Sequence, residues 1–115
     1  MRILVVDDTD ELLDLIQTVL ESVGWTVHLA CNAREGLMMA PQGYDVLLLD
    51  RNLPDMAESD FLARVFDLCP EARVIQMTGT SGSKPATGVV GLLQKPFDPM
   101  GLSDEIVRLL NGGQR

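Results

Sequence analysis

Three carboxylates, one hydroxyl and one ammonium group follow short apolar runs of the sequence. Each lies within two residues of the end of such a run: Asp7 and Asp8 after residues 2–6, Asp50 after 45–49, Thr78 after 72–77 and Lys95 after 89–93. If the runs are parallel strands, their carboxyl ends meet at one edge of the sheet, where ligands of open α/β sheets bind. We therefore expect these five side chains to share one site.

Crowded carboxylates repel one another, and a divalent cation relieves that repulsion. Oxygen ligands suit Mg²⁺ or Mn²⁺ and give no preference for zinc. A lysine and a threonine beside the metal would suit a phosphoryl group, and one carboxylate could then attack its phosphorus. Each acidic motif alone could merely cap a helix or open a loop, but their joint placement at successive strand ends favours a site.

The elements that position these residues alternate along the chain. Strand-like runs cover 2–6, 25–30, 45–49, 72–77 and 89–93. Between these runs, apolar residues recur at helical spacing in three stretches. The first predicted helix ends at Gly24, the second begins at a capping box of Asn32 with Glu35, and the third ends at Pro70. A last helix begins at Asp98-Pro99. This order predicts an α/β fold with a doubly wound, five-stranded parallel sheet.

The helix expected between the fourth and fifth strands has no matching sequence. Residues 79–88 contain three glycines and Pro85, and Ala86 is their one apolar helix former. Proline alone costs about 3 kcal/mol inside a helix. We predict that this helix is shortened or absent and that the segment is irregular.

Length, charge and cysteine content narrow the class of protein. A chain of 115 residues is about one domain, here 1–115. Its net charge of −8 argues against nucleic-acid binding by this domain. No apolar run reaches the roughly 20 residues of a membrane span, and no signal peptide is recognisable, so no membrane contact is expected. Cys31 and Cys69 are predicted to be buried free thiols of a cytoplasmic protein.

Four motifs carry a family resemblance over essentially the whole chain. "ILVVDD", "LLLDRNLPDM", "VIQMTG" and "LLQKPF", in this order and spacing, resemble the CheY-like receiver domain of two-component response regulators. The resemblance implies a flavodoxin-like fold with strand order 2-1-3-4-5. It also implies a histidine kinase or a histidine phosphotransfer protein as partner.

The resemblance assigns roles to the clustered residues. Asp50 would be the phosphoacceptor. Asp7 and Asp8 would hold Mg²⁺ with Asp50, and the backbone carbonyl of Asn52 would be a further protein ligand.

Two further residues receive roles from the same resemblance. Lys95 would pair with the acyl phosphate and precede a cis bond to Pro96. The hydroxyl of Thr78 would turn toward the phosphoryl group.

The chain departs from the family pattern at three positions. Gly79 replaces a residue that is usually alanine, Glu58 replaces a usual glycine, and Leu92 replaces the aromatic residue that couples to the threonine. The short region ending in "LLQKPF" is similar to receivers attached to hybrid sensor histidine kinases. With so little helix between strands four and five to form an interface, we expect a monomer.

The favoured function is a phosphoacceptor switch, with self-catalysed phosphotransfer and autodephosphorylation rather than conventional enzyme turnover. A haloacid-dehalogenase-like phosphatase also uses an aspartate nucleophile with Mg²⁺. That family needs a second aspartate where Asn52 stands, together with a cap domain. The remaining alternative is a pseudo-receiver that only binds proteins, and the intact acids and Lys95 argue against it. The cognate kinase and the downstream output stay open.

Overall fold

Five strands and four α-helices make up the computed structural model, which describes residues 1–112. The strands are β1 Arg2–Val6, β2 Thr26–Ala30, β3 Val46–Asp50, β4 Val74–Thr78 and β5 Gly91–Gln94. The helices are α1 Asp10–Ser22, α2 Ala33–Met39, α3 Glu58–Leu68 and α4 Leu102–Leu110, with short 3₁₀ turns at Ala40–Gln42 and Pro99–Gly101. The predicted alternation of elements is confirmed, with β1 as predicted and the bounds of the other four strands shifted by one or two residues.

All strand pairs are parallel, and their order is β2-β1-β3-β4-β5. This confirms the predicted doubly wound, flavodoxin-like sheet. The register pairs Val6 with Leu49 and Asp50 with Met77, so the ends of β1, β3 and β4 lie level with one another. The polar residues that follow these strands are thereby brought to one edge.

Alternate strand residues face two separate hydrophobic clusters, one on each side of the sheet. Ile3 and Val5 of β1 join the cluster covered by α1 and α4, whereas Leu4 and Val6 join the one covered by α2 and α3. Strand β3 is buried at all five positions, as a central parallel strand should be. Helices on both faces leave the carboxyl edge of the sheet for polar groups.

Side chains cap two of the helical segments as the sequence predicts. The Asn32 side chain accepts a hydrogen bond from the Glu35 amide at 2.8 Å. The Glu35 carboxylate accepts from the Cys31 amide, and not from the Asn32 amide as a capping box would have it. Asp98 accepts from the Met100 amide at 3.1 Å, at the turn leading into α4. These bonds satisfy amides that have no partner within the helix.

The connection between β4 and β5 contains no helix in the structure, which confirms the prediction for residues 79–88. Gly82 and Gly88 have φ angles of 78° and 88°. These left-handed conformations interrupt any helical run and suit glycine. We refer to residues 79–90 as the β4–β5 segment.

The cysteine prediction is partly wrong. Both thiols are free, but Cys31 is exposed and Cys69 is half-buried. Cys31 follows the end of β2, where the chain leaves the sheet, so its apolar sequence neighbours do not cover it. Across residues 1–112, no helix combines the length and apolar character that a bilayer crossing requires.

Candidate functional site

Three carboxylates converge at the carboxyl edge of the sheet, as the sequence predicts. Asp7 and Asp8 follow β1, and Asp50 ends the neighbouring strand β3. One oxygen from each carboxylate lies within 4.8 Å of the others. Asp7 is fully buried and Asp50 is 8% exposed, whereas Asp8 is exposed to solvent. The oxygen-only donor set and its open side fit a hard divalent cation such as Mg²⁺.

Lys95 joins the two buried acids. Its Nζ donates to Asp7 Oδ2 at 2.8 Å and to Asp50 Oδ1 at 3.3 Å. Its backbone amide donates to the carbonyl of Thr78 at 2.7 Å, which fixes the chain where it leaves β5. The Lys95–Pro96 peptide bond is cis, as the resemblance implied.

The pKa values of Lys95 and Asp50 both differ from their ordinary values. Burial opposes the charge on Lys95, but the hydrogen bond to Asp7 and the charges of Asp7 and Asp50 raise its pKa. Burial and then the charge of Asp7 raise the pKa of Asp50, although Lys95 acts in the opposite direction. Lys95 therefore stays protonated at neutral pH and compensates only part of the negative charge, which leaves a cation site attractive.

Thr78 is the last residue of β4 and is 4% exposed. Its Oγ1 accepts a hydrogen bond from the Thr80 amide at 3.1 Å and lies 3.3 Å from Ser83 Oγ. Ser83 in turn donates to the Thr80 carbonyl at 2.8 Å. The predicted switch hydroxyl is thus at the site but is held by the β4–β5 segment.

Asn52 is exposed and lies on the wall of a cleft of about 630 Å³ beside the acids. The backbone of Asn52 works to lower the pKa of the Asp50 carboxyl. The cleft is lined mainly by three regions, namely Asp8 after β1, residues 51–54 and 56–58 after β3, and Thr78, Thr80, Ser83 and Lys84. The role of the Asn52 carbonyl as a metal ligand stays a prediction.

Sequence reasoning missed a second polar group beside the acids, made of Arg51, Glu58 and Gln76. Arg51 Nε donates to Glu58 Oε2 at 2.5 Å, and Gln76 Nε2 donates to the same oxygen at 2.7 Å. Two signals were present in the sequence. Glu58 stands where the family usually has glycine, and Gln76 is the one amide within the apolar run of β4.

Comparison with known proteins agrees with this geometry. The sequence pattern of the response regulator receiver domain matches residues 3–107. The transcriptional regulatory protein DltR of Streptococcus agalactiae is 33% identical over 104 residues, covering 85% of this chain and 46% of DltR. The chain spans about half or less of the length of the first curated relatives it matches.

Solved structures extend the similarity to the fold. The chemotaxis response regulator CheY4 of Vibrio cholerae has a TM-score of 0.83 at 27% identity, covering 94% of this chain and 97% of that one. The response regulator TrrA of Thermotoga maritima, solved with Mg²⁺-BeF, has a TM-score of 0.80 at 25% identity and the same coverage of both chains.

A receiver from a hybrid kinase is also among the similar structures. The receiver domain of the hybrid histidine kinase CckA has a TM-score of 0.80 at 26% identity, covering 96% of this chain and 99% of that one. The predicted likeness to hybrid-kinase receivers is therefore confirmed. With sheet order, acidic cluster and sequence pattern in agreement, the chain belongs to the receiver domain family of two-component response regulators.

Proposed function

We propose that this domain accepts a phosphoryl group on Asp50 from the phosphohistidine of a histidine kinase or a histidine phosphotransfer protein. The observation that carries the proposal is the position of Lys95 Nζ, within hydrogen-bonding distance of both Asp7 and Asp50 at the mouth of the acidic cluster. This arrangement places one cation beside the acceptor, and each of the three carboxylates offers an oxygen to a second cation.

The transfer requires one bond to form and one to break. An oxygen of Asp50 attacks phosphorus, the P–N bond of the phosphohistidine breaks, and its electron pair returns to the imidazole nitrogen. Lys95 stabilises the developing charge on the phosphoryl oxygens. Later, water attacks phosphorus and the P–O bond to Asp50 breaks, which releases inorganic phosphate and restores the carboxylate.

The acidic residues have a separate task in this proposal. Asp7, Asp8, Asp50 and the carbonyl of Asn52 would hold Mg²⁺, and Mn²⁺ shares the same preference for oxygen ligands. When bound, the metal supplies positive charge for the phosphoryl oxygens. TrrA, solved with Mg²⁺-BeF, supports the assignment by analogy.

Thr78 is the proposed switch residue. A phosphoryl group on Asp50 would compete for the hydroxyl that now contacts the Thr80 amide and Ser83. Exchange of these bonds would transmit the state of Asp50 to the β4–β5 segment. The intact acceptor, acids and lysine favour this switch over a pseudo-receiver that binds proteins independently of phosphorylation.

The remaining features of the proposal concern the surroundings of the domain. We place it in the cytoplasm, where free thiols such as Cys31 and Cys69 persist. The net charge of −8 is the reason to propose no nucleic-acid contact by this domain. DltR is a transcriptional regulatory protein of about twice this length, so its name describes a longer chain.

Intact-mass measurement after incubation with acetyl phosphate and Mg²⁺ tests the assignment of Asp50. We expect one added phosphoryl group in the wild type and in Asp67→Asn, a matched change at an exposed position of α3. We expect none in Asp50→Asn or with a chelator. An equal mass gain in Asp50→Asn would remove Asp50 from its role.

A further inference from the structure

A buried amide on β4 marks the point where this chain departs from a purely apolar sheet. Gln76 is 1% exposed and lies on the same face of β4 as Val74, beneath the β4–β5 segment. A buried amide needs hydrogen-bond partners. Its Nε2 donates to Glu58 at 2.7 Å, and its Oε1 lies 3.5 Å from the Ala86 amide.

The carboxylate of Glu58 connects this amide to Arg51. Oε2 accepts from both Gln76 and Arg51 Nε, and Oε1 accepts from Arg51 Nη2 at 3.3 Å. The ion pair is only partly exposed, with 23% and 29% of the two side chains accessible. A bidentate pair of this kind is stronger and more directional than an ordinary surface ion pair.

The same three residues hold the β4–β5 segment. Arg51 Nη1 donates to the carbonyl of Lys84 at 2.9 Å, and Gln76 reaches the amide of Ala86. The segment has few apolar side chains to bury, and of these Ala86 and Val89 pack at the edge of the α2–α3 cluster. Polar contacts therefore perform much of the attachment that an apolar helix face would otherwise provide.

The held segment reaches the proposed switch hydroxyl. Ser83, next to Lys84 in the chain, lies 3.3 Å from Thr78 Oγ1. Arg51 directly follows the acceptor Asp50 and lines the same cleft as Asp8, Asn52 and Thr78. A dianionic phosphoryl group entering that cleft would attract the guanidinium that Glu58 now holds.

We propose that Arg51, Glu58 and Gln76 are positioning residues, a polar clamp that fixes the β4–β5 segment in the unphosphorylated protein. A phosphoryl group on Asp50 opens the clamp by competing with Glu58 for Arg51, and this frees the segment and Thr78 to move together. The opening step rests on the proposed phosphorylation of Asp50, whereas the clamp itself does not.

Amide hydrogen exchange in the free protein tests the clamp. In Glu58→Gln we expect exchange at Ala86 to quicken about tenfold or more, because one oxygen and the charge that hold Arg51 are lost. The Val90 amide is an internal control, since it donates to the backbone of Val74 at 2.8 Å. Glu71→Gln, the same change at an exposed position, should leave Ala86 unchanged.

A second variant guards against an indirect effect on the start of α3. Gln76→Leu keeps the buried volume and the ion pair but removes the acceptor that faces Ala86. It should also quicken exchange at Ala86. Wild-type exchange in both variants would overturn the clamp.

Beryllofluoride with Mg²⁺ tests the opening, and the ¹⁹F spectrum reports independently whether the phosphoryl mimic binds. In the wild type we expect beryllofluoride binding to quicken exchange at Ala86. In Glu58→Gln the exchange is already fast, so binding should change it little. By linkage, a clamp that binding must open weakens binding, so Glu58→Gln should bind beryllofluoride about fivefold more tightly than the wild type or Glu71→Gln. A merely structural role for Glu58 would not tighten binding.

The outcomes separate the two proposals. In one outcome, beryllofluoride binds without changing exchange at Ala86 in the wild type and with equal affinity for the wild type and Glu58→Gln. That result would overturn the opening step and leave the proposed function standing. No ¹⁹F signal of a bound complex would overturn the proposed function and the opening step together, while exchange in the free protein still decides the clamp.

Discussion

Asp7 and Asp8 are adjacent in the chain but occupy different positions in the site. Asp7 is fully buried, accepts from Lys95 and also accepts from the Thr9 amide at 2.8 Å, which shapes the start of α1. Asp8 is exposed on the open side of the cluster. Asp7 therefore has a structural role besides its proposed role in metal binding, whereas the charge of Asp8 is assigned chiefly to the proposed metal.

Asp8→Asn should stabilise the metal-free protein and weaken Mg²⁺ binding. Two unit charges at 4 Å interact by about 1 kcal/mol in water, so relief of one repulsion should be worth no more than about that amount. In the wild type, Mg²⁺ at ten times its dissociation constant should add about 1.4 kcal/mol, because it binds only the folded cluster. Thermal melts with and without Mg²⁺ measure both effects. A loss of stability in metal-free Asp8→Asn would contradict this account of Asp8.

Asp55→Ala should destabilise the protein by about 1 kcal/mol at neutral pH, the usual cost of a lost helix cap. Asp55, in the loop after β3, accepts from the Ala33 and Arg34 amides at 2.9 and 3.0 Å at the start of α2. Burial raises the pKa of Asp55, but the hydrogen bonds from these amides together outweigh it and lower the pKa below its usual 3.8.

The lowered pKa sets the pH dependence of this effect. A carboxyl with a depressed folded-state pKa stabilises the protein above its unfolded value of 3.8, and that stability is lost as the pH falls through the folded value. Urea unfolding at pH 7 and near pH 3 should therefore show a smaller difference between Asp55→Ala and wild type at the lower pH. A difference that grows on acidification would contradict the capping role, and Asp67→Ala is the matched control.

The fifth strand and the last helix lie close together at Gly91. Strand β5 lies at the sheet edge, and α4 packs against it through Leu109. A Cβ placed on Gly91 would lie 2.9 Å from Leu109 Cδ2 and 3.2 Å from its Cβ. Glycine at this position permits the helix to sit close to the strand.

Gly91→Ala should destabilise the protein by about 1–2 kcal/mol, because the added methyl forces α4 away from β5. Gly79→Ala is the matched control: nothing lies within 4 Å of a Cβ there, and the φ angle is not in the left-handed region. Its stability should be equal to or slightly above that of the wild type. Chemical denaturation of the two variants measures the difference, and equal stability would show that α4 shifts without cost.

The missing helix changes the surface of the domain beside β5. The β4–β5 segment is irregular, and it carries one exposed large apolar side chain, Val90, which is 41% exposed. A standard protein interface buries roughly 800 Å² on each partner. A face that lacks a helix offers less of the continuous surface that such an interface requires.

The protein should therefore remain monomeric both free and with beryllofluoride and Mg²⁺. Light scattering at micromolar concentration measures this directly. Asp50→Asn, which cannot carry the acyl phosphate, is the control for effects of the additives. A dimer that appears only with beryllofluoride in the wild type would contradict the prediction and identify this face as a regulated interface.

Local patterns along the chain were sufficient for the fold and for the acidic cluster. The strands of a parallel sheet are short apolar runs, and the residues after them necessarily meet at one edge, so the amino-acid sequence alone groups Asp7, Asp50 and Lys95. The irregular β4–β5 segment was equally predictable, because glycine and proline act through the backbone of their own residue.

The packed fold determines how the β4–β5 segment is held and which polar side chains are buried. Glu58 is 18 residues from Gln76, and Arg51 is 33 from Lys84, and no periodicity links such positions. The prediction for Cys31 failed for a related reason, since apolar neighbours in sequence do not cover a residue where the chain turns out of the sheet. Side-chain hydrogen bonds and burial depend on which distant segments are brought together in space, and that is set by the packed fold rather than by any local pattern.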